Sequence, residues 1–219
     1  MVARNFDLIV FDWDGTLMDS TAAIAESIQA ACADIGVAVP SRALASHVIG
    51  LSLMGAVQTV APALDDVGCQ RLAERYRYHF LARDHQLVLF DGARELLSEL
   101  RERGYRVAVA TGKARRGLDR VLEQSGLAPS FDATRCADET FSKPHPGMLL
   151  ELMAELASSP ERTLMIGDTT HDLQMARNAG TASLAMTYGA HPATELVAES
   201  PLAVLASMAA LREWILCHG

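Results

Sequence analysis

Two carboxylates one residue apart close an apolar run near the start of the chain. In FDLIVFDWDGTLMDS, Phe6 to Ser20, the run Leu8–Phe11 leads straight into Asp12-Trp13-Asp14-Gly15-Thr16. Side chains alternate along extended backbone, so Asp12 and Asp14 face the same way, and Gly15-Thr16 then turns the chain. The pair reads as a solvated turn whose Asp side chains bond their own backbone, as a calcium loop, or as a ligand site at the carboxyl end of a strand. A calcium loop needs Gly at its sixth position and an acid at its twelfth. Counting from Asp12, Gly15 is fourth and Ala23 twelfth, so that reading fails.

Three further stretches carry polar groups, two of them at the ends of apolar runs. YRVAVA (105–110) runs into Thr111-Gly112-Lys113, and TLMI (163–166) runs into Gly167-Asp168-Thr169-Thr170-His171-Asp172. Between them, Ser142-Lys143-Pro144-His145-Pro146 precedes a helical pattern. Each has an ordinary explanation alone: Thr111 as a cap, Asp168 and Asp172 as acids of a first helical turn, Lys143 as a solvated lysine. Parallel strands bring their carboxyl ends to one edge, and there Asp12, Asp14, Thr111, Lys143, Asp168 and Asp172 converge. Of 19 basic side chains only Lys113 and Lys143 are lysine, and both fall in these loops.

The elements that must position these groups are strands buried on both faces. LIVF (8–11), YRVAVA, TLMI and a weaker SLAM (183–186) are short apolar runs, as in a parallel sheet. Helical patterns alternate with them. Leu96, Leu97 and Leu100 mark a helix within 91–103 ending at Gly104, Met148 to Leu156 mark another within 144–157, and 168–178 closes at Gly180. Strand and helix in alternation predict an α/β fold, a doubly wound, Rossmann-like parallel sheet. From Thr21 to about His85 there is no convincing strand. Ile24, Ile28, Cys32 and Ile35, and later Leu72, Tyr76 and Phe80, repeat at helical spacing. This predicts an inserted α-helical domain over 19–87, with the catalytic core formed by 1–18 and 88–219.

With 219 residues, half of them hydrophobic and 21% charged, the chain has ample material for a packed core and little tendency to disorder. A net charge of −8 argues against nucleic acid or anionic membrane as partner and requires a local cationic site for an anionic substrate. Cys32, Cys69, Cys136 and Cys217 form no metal-type cluster and read as free buried thiols. No apolar run reaches membrane-spanning length and the first residues do not read as a secretory signal, so a soluble, cytoplasmic protein is expected.

Taken in order, DWDGTLMD, TGK, SKP and GDTTHD resemble the four motifs of the haloacid dehalogenase-like phosphohydrolase superfamily, and the helical insert resembles its type I cap. Within it the chain is most similar to phosphoglycolate phosphatase-like enzymes. The resemblance implies that Asp12 is the nucleophile forming an aspartyl-phosphate and Asp14 the general acid and base. It also implies a Mg2+ ion held by the Asp12 and Asp168 carboxylates and the Asp14 backbone carbonyl, with Asp172 orienting a metal-bound water. Lys143 would neutralise charge, while the Thr111 hydroxyl and Gly112 amide bind phosphoryl oxygens. Many relatives carry Asn after the Thr; here Gly112 stands there, and any contact from that side chain is absent.

The expected reaction is hydrolysis of a small phosphorylated metabolite, with 2-phosphoglycolate as the leading substrate. The alternatives are a β-phosphoglucomutase-like phosphotransferase and, from another class, a receiver-like module carrying a phosphorylated Asp. Receivers are shorter, lack a cap, and place their acidic pair on a different strand from the acceptor. A phosphonoacetaldehyde hydrolase needs a cap lysine, and residues 20–90 contain none. Substrate selection is expected in the cap loop His47-Val48-Ile49-Gly50-Leu51-Ser52, with His47, Gly50 and Leu51 as binding candidates. Arg42, Arg71 and Arg75 are further candidates for a substrate carboxylate, and Tyr188 to His191 is expected to touch the cap.

Overall fold

The computed structural model describes residues 5–218. In chain order its elements are β1 (Leu8–Phe11), β2 (Met18–Asp19), α1 (Thr21–Ile35), α2 (Arg42–His47), α3 (Leu53–Val60), α4 (Asp66–Arg83), β3 (Val88–Leu89), α5 (Ala93–Glu102), β4 (Arg106–Thr111), α6 (Arg115–Ser125), β5 (Ala133–Cys136), α7 (Gly147–Glu155), β6 (Thr163–Gly167), α8 (Thr170–Ala179), β7 (Ala182–Met186), α9 (Ala193–Ala198), β8 (Ala203–Leu205) and α10 (Met208–His218). Six strands form one parallel sheet in the order β5-β4-β1-β6-β7-β8.

The period of two decides which side chain goes to which face. Ile9, Phe11, Val107, Val109, Leu164 and Ile166 enter one core, with α5, α6 and α10 supplying Leu97, Leu118 and Leu211. Leu8, Val10, Ala108, Ala110 and Met165 enter the other, closed by Met148 and Leu152 of α7 and Met175 of α8. All four β1 residues are fully buried, which accounts for the unbroken apolar run at 8–11. Trp13 points into the first core between the two acids.

The expected strands and helices are present, with shifts of a few residues at their ends. Two sheet strands were not anticipated. β5 and β8 are the sheet's outer strands and only partly buried, so neither carries an apolar run on both faces. SLAM is therefore not the last strand; β8 follows it. The pair β2–β3 forms a short antiparallel ribbon at the two places where the chain leaves and re-enters the sheet region.

Helices α1 to α4 enclose a separate apolar core of Ile24, Ile28, Cys32, Val57, Leu72 and Phe80. Cys32, Cys69 and Cys136 are buried free thiols, but Cys217 is exposed on the last turn of α10, contrary to expectation. Among the described residues no helix is long and apolar enough to cross a membrane.

Candidate active site

The central strand delivers the first acid. Asp12 continues β1, its amide donating to the Ile166 carbonyl at 2.9 Å, and its side chain is 1% exposed. Such a carboxylate needs a counter-charge. Lys143, equally buried, donates from Nζ to Asp12 Oδ1 at 2.7 Å. The same Nζ lies 2.7 Å from Asp172 Oδ1, an ion pair off the line of a hydrogen bond, so that oxygen has no hydrogen-bond partner. Asp12 Oδ2 is likewise buried and unpartnered. Burial, opposed by Lys143 and reinforced by the charge of Asp172, pushes Asp12 up to about 7. Burial alone would lower Lys143, but the charges of Asp12 and Asp172 outweigh it and push the ammonium up.

The end of β6 supplies the other two acids. Asp168 is fully buried, accepting from Thr16 Oγ1 on Oδ1 and from the Ala190 amide on Oδ2, both at 2.7 Å. Burial, then the charges of Asp12 and Asp172, raises its pKa well above the usual carboxylate range. Gly15, at φ +85°, presses on this carboxylate so closely that a Cβ would sit 2.2 Å from Asp168 Oδ2. Asp172 closes a capping box at the start of α8: Thr169 accepts from the Asp172 amide, and Asp172 Oδ2 accepts from the Thr169 amide and hydroxyl. The helix-start role and the site role therefore coexist in one residue.

Asp12, Asp168 and Asp172 each bring a carboxylate oxygen within 4.8 Å of the others. Three oxygen donors, two of them with a buried oxygen that makes no hydrogen bond, fit a hard divalent cation such as Mg2+.

Asp14 lies apart from this cluster in its partners. Lys113 Nζ is 2.9 Å from both Asp14 oxygens, and Ser20 Oγ donates to Oδ1 at 2.7 Å. Thr111 is buried at the end of β4, and its hydroxyl accepts from the Lys113 amide at 3.2 Å. No side chain caps α6, which begins after Ala114, so Thr111 is not acting as a helix cap.

The helical insert comes down on this edge through the loop after α2. Gly112 lies flush against it: a Cβ there would be 2.5 Å from the carbonyl oxygens of both Gly50 and Leu51. The Ser52 amide donates to Ser142 Oγ at 2.9 Å. One carbonyl is held twice. His171 Nε2 and His191 Nε2 lie 2.9 and 3.0 Å from the His47 oxygen. The Thr170 amide donates to His191 Nδ1 at 3.1 Å, which puts the His191 proton on Nε2, facing that carbonyl. Burial lowers the pKa of both rings, His191 to about 4.

Gly50 and Leu51 thus meet the site through their backbone. The His47 ring stacks on His191 at 4.8 Å, with Nδ1 3.8 Å from Glu195. Arg42 and Arg75 are not brought to Asp12, being paired within the insert to Glu26 and Asp34, and Arg71 is exposed. The 188–191 stretch does reach the insert, through His191, and Tyr188 Oη donates to the Thr16 carbonyl at 2.9 Å. Lys113, Ser20, Thr16, His171 and the Ala190 amide were not singled out for site roles from the sequence. Only Lys113 carried a signal there, as one of two lysines.

The family model for haloacid dehalogenase-like hydrolases matches residues 9–186, from β1 to the end of β7, and so takes in Asp12, Asp14, Thr111, Lys143, Asp168 and Asp172. The chain belongs to that family. It is 35% identical over 205 residues to the "Probable phosphatase IndB" of Dickeya dadantii, covering 90% of this chain and 88% of that one. It is 31% identical over 226 residues to the phosphoglycolate phosphatase of Vibrio vulnificus, covering 99% of each. A hydrolase of Pseudomonas syringae shares the fold with a TM-score of 0.87 at 22% identity, over 94% of this chain and 96% of the other.

Proposed function

We propose that this haloacid dehalogenase-like hydrolase is a Mg2+-dependent phosphomonoesterase working through an aspartyl-phosphate on Asp12. The observation that carries the proposal is the state of that carboxylate. Oδ1 is held by Lys143, whereas Oδ2 is buried, unpartnered and free to act as nucleophile. In the first step Oδ2 attacks phosphorus and the ester P–O bond breaks. Asp14 gives its proton to the departing oxygen. In the second step Asp14 takes a proton from water as that water attacks phosphorus, and the Asp12–phosphate bond breaks to release inorganic phosphate. Lys143 offsets the charge brought together by nucleophile and phosphate, and the Thr111 hydroxyl and Gly112 amide are the groups we assign as donors to phosphoryl oxygens.

Asp12, Asp168, Asp172 and the Asp14 carbonyl are the groups we assign to Mg2+; when bound, it supplies the positive charge that lets a carboxylate approach an anionic phosphate. Residues 19–87 act as a cap that closes over the strand ends and excludes water, with 1–18 and 88–219 as the catalytic core. The substrate class is a small phosphorylated metabolite, and 2-phosphoglycolate is the first to test, given the full-length relative from Vibrio vulnificus.

Phosphate release from a panel of small monoesters, with Mg2+ or with chelator, tests the proposal. Release is expected only with the cation, and Asp12→Asn is expected to abolish it. Full activity in that variant, or in chelator, would overturn the mechanism. Conversion of a sugar phosphate to its isomer without phosphate release would replace the hydrolase by a phosphotransferase.

A further inference from the structure

Lys113 is the charged group at this edge for which the proposed reaction has no role. Its side chain is 9% exposed, and its ammonium sits 2.9 Å from both oxygens of Asp14 and 4.9 Å from the centre of the Phe80 ring. Phe80 belongs to α4 of the insert and stacks at 5.7 Å on Tyr76, one turn earlier. The Tyr76 hydroxyl is pushed up by burial and then by the charge of Asp14. Lys113 is thus framed by a carboxylate from the sheet edge and the Phe80 ring of the insert, which Tyr76 backs.

The position matters because of what must lie next to Asp14. To receive its proton, the ester oxygen of the leaving group has to come within about 3 Å of that carboxylate. Lys113 is 2.9 Å from the same carboxylate, so a group one carbon beyond the ester oxygen falls within its reach. Two of the three ammonium N–H bonds serve Asp14, which leaves one without a carboxylate partner. An ammonium is a compact point charge suited to a small anion, and the aromatic wall excludes the water that would screen it.

Several other cations near the insert are engaged elsewhere. Lys143 serves Asp12 and Asp172, Arg75 serves Asp34, Arg42 and Arg83 approach Glu26, and Arg120 is tied to Asp84.

Resting on the phosphomonoesterase reading above, we propose that Lys113 selects substrates whose leaving group carries a carboxylate one carbon beyond the ester oxygen. Phe80, backed by Tyr76, forms the wall against which Lys113 holds that group. The residue acts on specificity by touching the substrate, besides steadying Asp14.

A matched pair of substrates separates these two effects: 2-phosphoglycolate and 2-hydroxyethyl phosphate, which replaces the carboxylate with a neutral CH2OH. With the full-length chain and Mg2+, kcat/KM is expected to favour phosphoglycolate by at least about tenfold, the scale of one charge-assisted contact. Lys113→Gln should bring the ratio close to one, and Lys113→Arg should keep part of the preference. Glycolate should inhibit the natural chain and lose that effect in Lys113→Gln, a measurement that needs no turnover of the phosphoglycolate ester. A wild-type ratio near one overturns the proposal. So does an equal loss on both substrates in Lys113→Gln, since that is the signature of the Asp14 contact alone. If the natural chain hydrolyses neither ester, nor p-nitrophenyl phosphate, the phosphomonoesterase reading itself falls and takes this one with it.

Discussion

Gly112 offers the sharpest test of how the helical insert is seated. Replacing it with Ala adds one Cβ, 2.5 Å from the Gly50 and Leu51 carbonyl oxygens and 2.8 Å from the Gly50 carbonyl carbon. All three atoms are backbone, so no rotamer change relieves the clash. Ordinary contact begins at 3.4 Å, and the loop must therefore retreat by about 0.9 Å in a region packed without slack. That movement stretches the Ser52–Ser142 bond from 2.9 Å beyond hydrogen-bond range and loosens both imidazole contacts to His47. Overpacking of this kind costs about 1–3 kcal/mol, and here it falls on the closed arrangement rather than on the sheet. The closed population, and with it kcat/KM for a phosphomonoester, should drop by roughly 5- to 150-fold. The melting temperature should move by no more than a few degrees, because the clash falls on the insert's loop at Gly50 and Leu51. Hydrogen exchange at the amides of Ile49 to Leu51 should speed up in parallel. Wild-type kcat/KM together with wild-type exchange in Gly112→Ala would refute the reasoning.

Other perturbations follow from the same geometry. Lys143→Met leaves Asp12 and Asp172 buried without their counter-charge and should destabilise the metal-free chain by about 3–5 kcal/mol; an unchanged denaturation midpoint in chelator would contradict the pairing. Asp12 in the fold titrates near 7 against 3.8 in the open chain, and Asp168 is raised likewise. Folded molecules therefore hold protons that unfolded ones have released, and metal-free stability should fall as pH rises from about 4 through about 7, the window set by Asp12. Asp12→Asn should flatten part of that slope, and a divalent cation should restore stability at the upper end; a rise in stability over this window attributable to Asp12 would reverse the sign and refute the assignment. Replacing His171 and His191 together with Ala removes two donors from one carbonyl, about 2 kcal/mol in all. The expected result is a rise in KM and faster exchange in the 47–52 loop, and His→Gln at both positions should recover part of each.

Much of the arrangement was readable from residue types because its causes are local. Strands β1, β4 and β6 are covered on both faces, so their apolar runs stand out, and the polar residue after each run marks a strand end at the shared edge. The two outer strands escaped notice for the complementary reason: ATRC and AVL are half-exposed and owe their pairing to a neighbour rather than to their own pattern. Asp12, Thr111, Lys143 and Asp168 announced themselves by type and position. The double contact to the His47 carbonyl did not, since a main-chain oxygen has no letter in the sequence and its two donors are twenty residues apart. Likewise the cap arginines looked available for a substrate until the folded insert paired Arg75 with Asp34.

The sheet order has a consequence for how the chain is assembled. β1 is made before the other described strands of its sheet, yet both its neighbours, β4 and β6, come roughly a hundred and a hundred and fifty residues later. Between them the insert can gather its own apolar core from contacts within about sixty residues. The strand that carries Asp12 is therefore made long before either of its neighbours, so one of its apolar edges stays open to misassociation until β6 has emerged. Synthesis stalled before residue 163 would leave a nascent chain with a folded helical lobe and an unfinished sheet, a natural substrate for a chaperone.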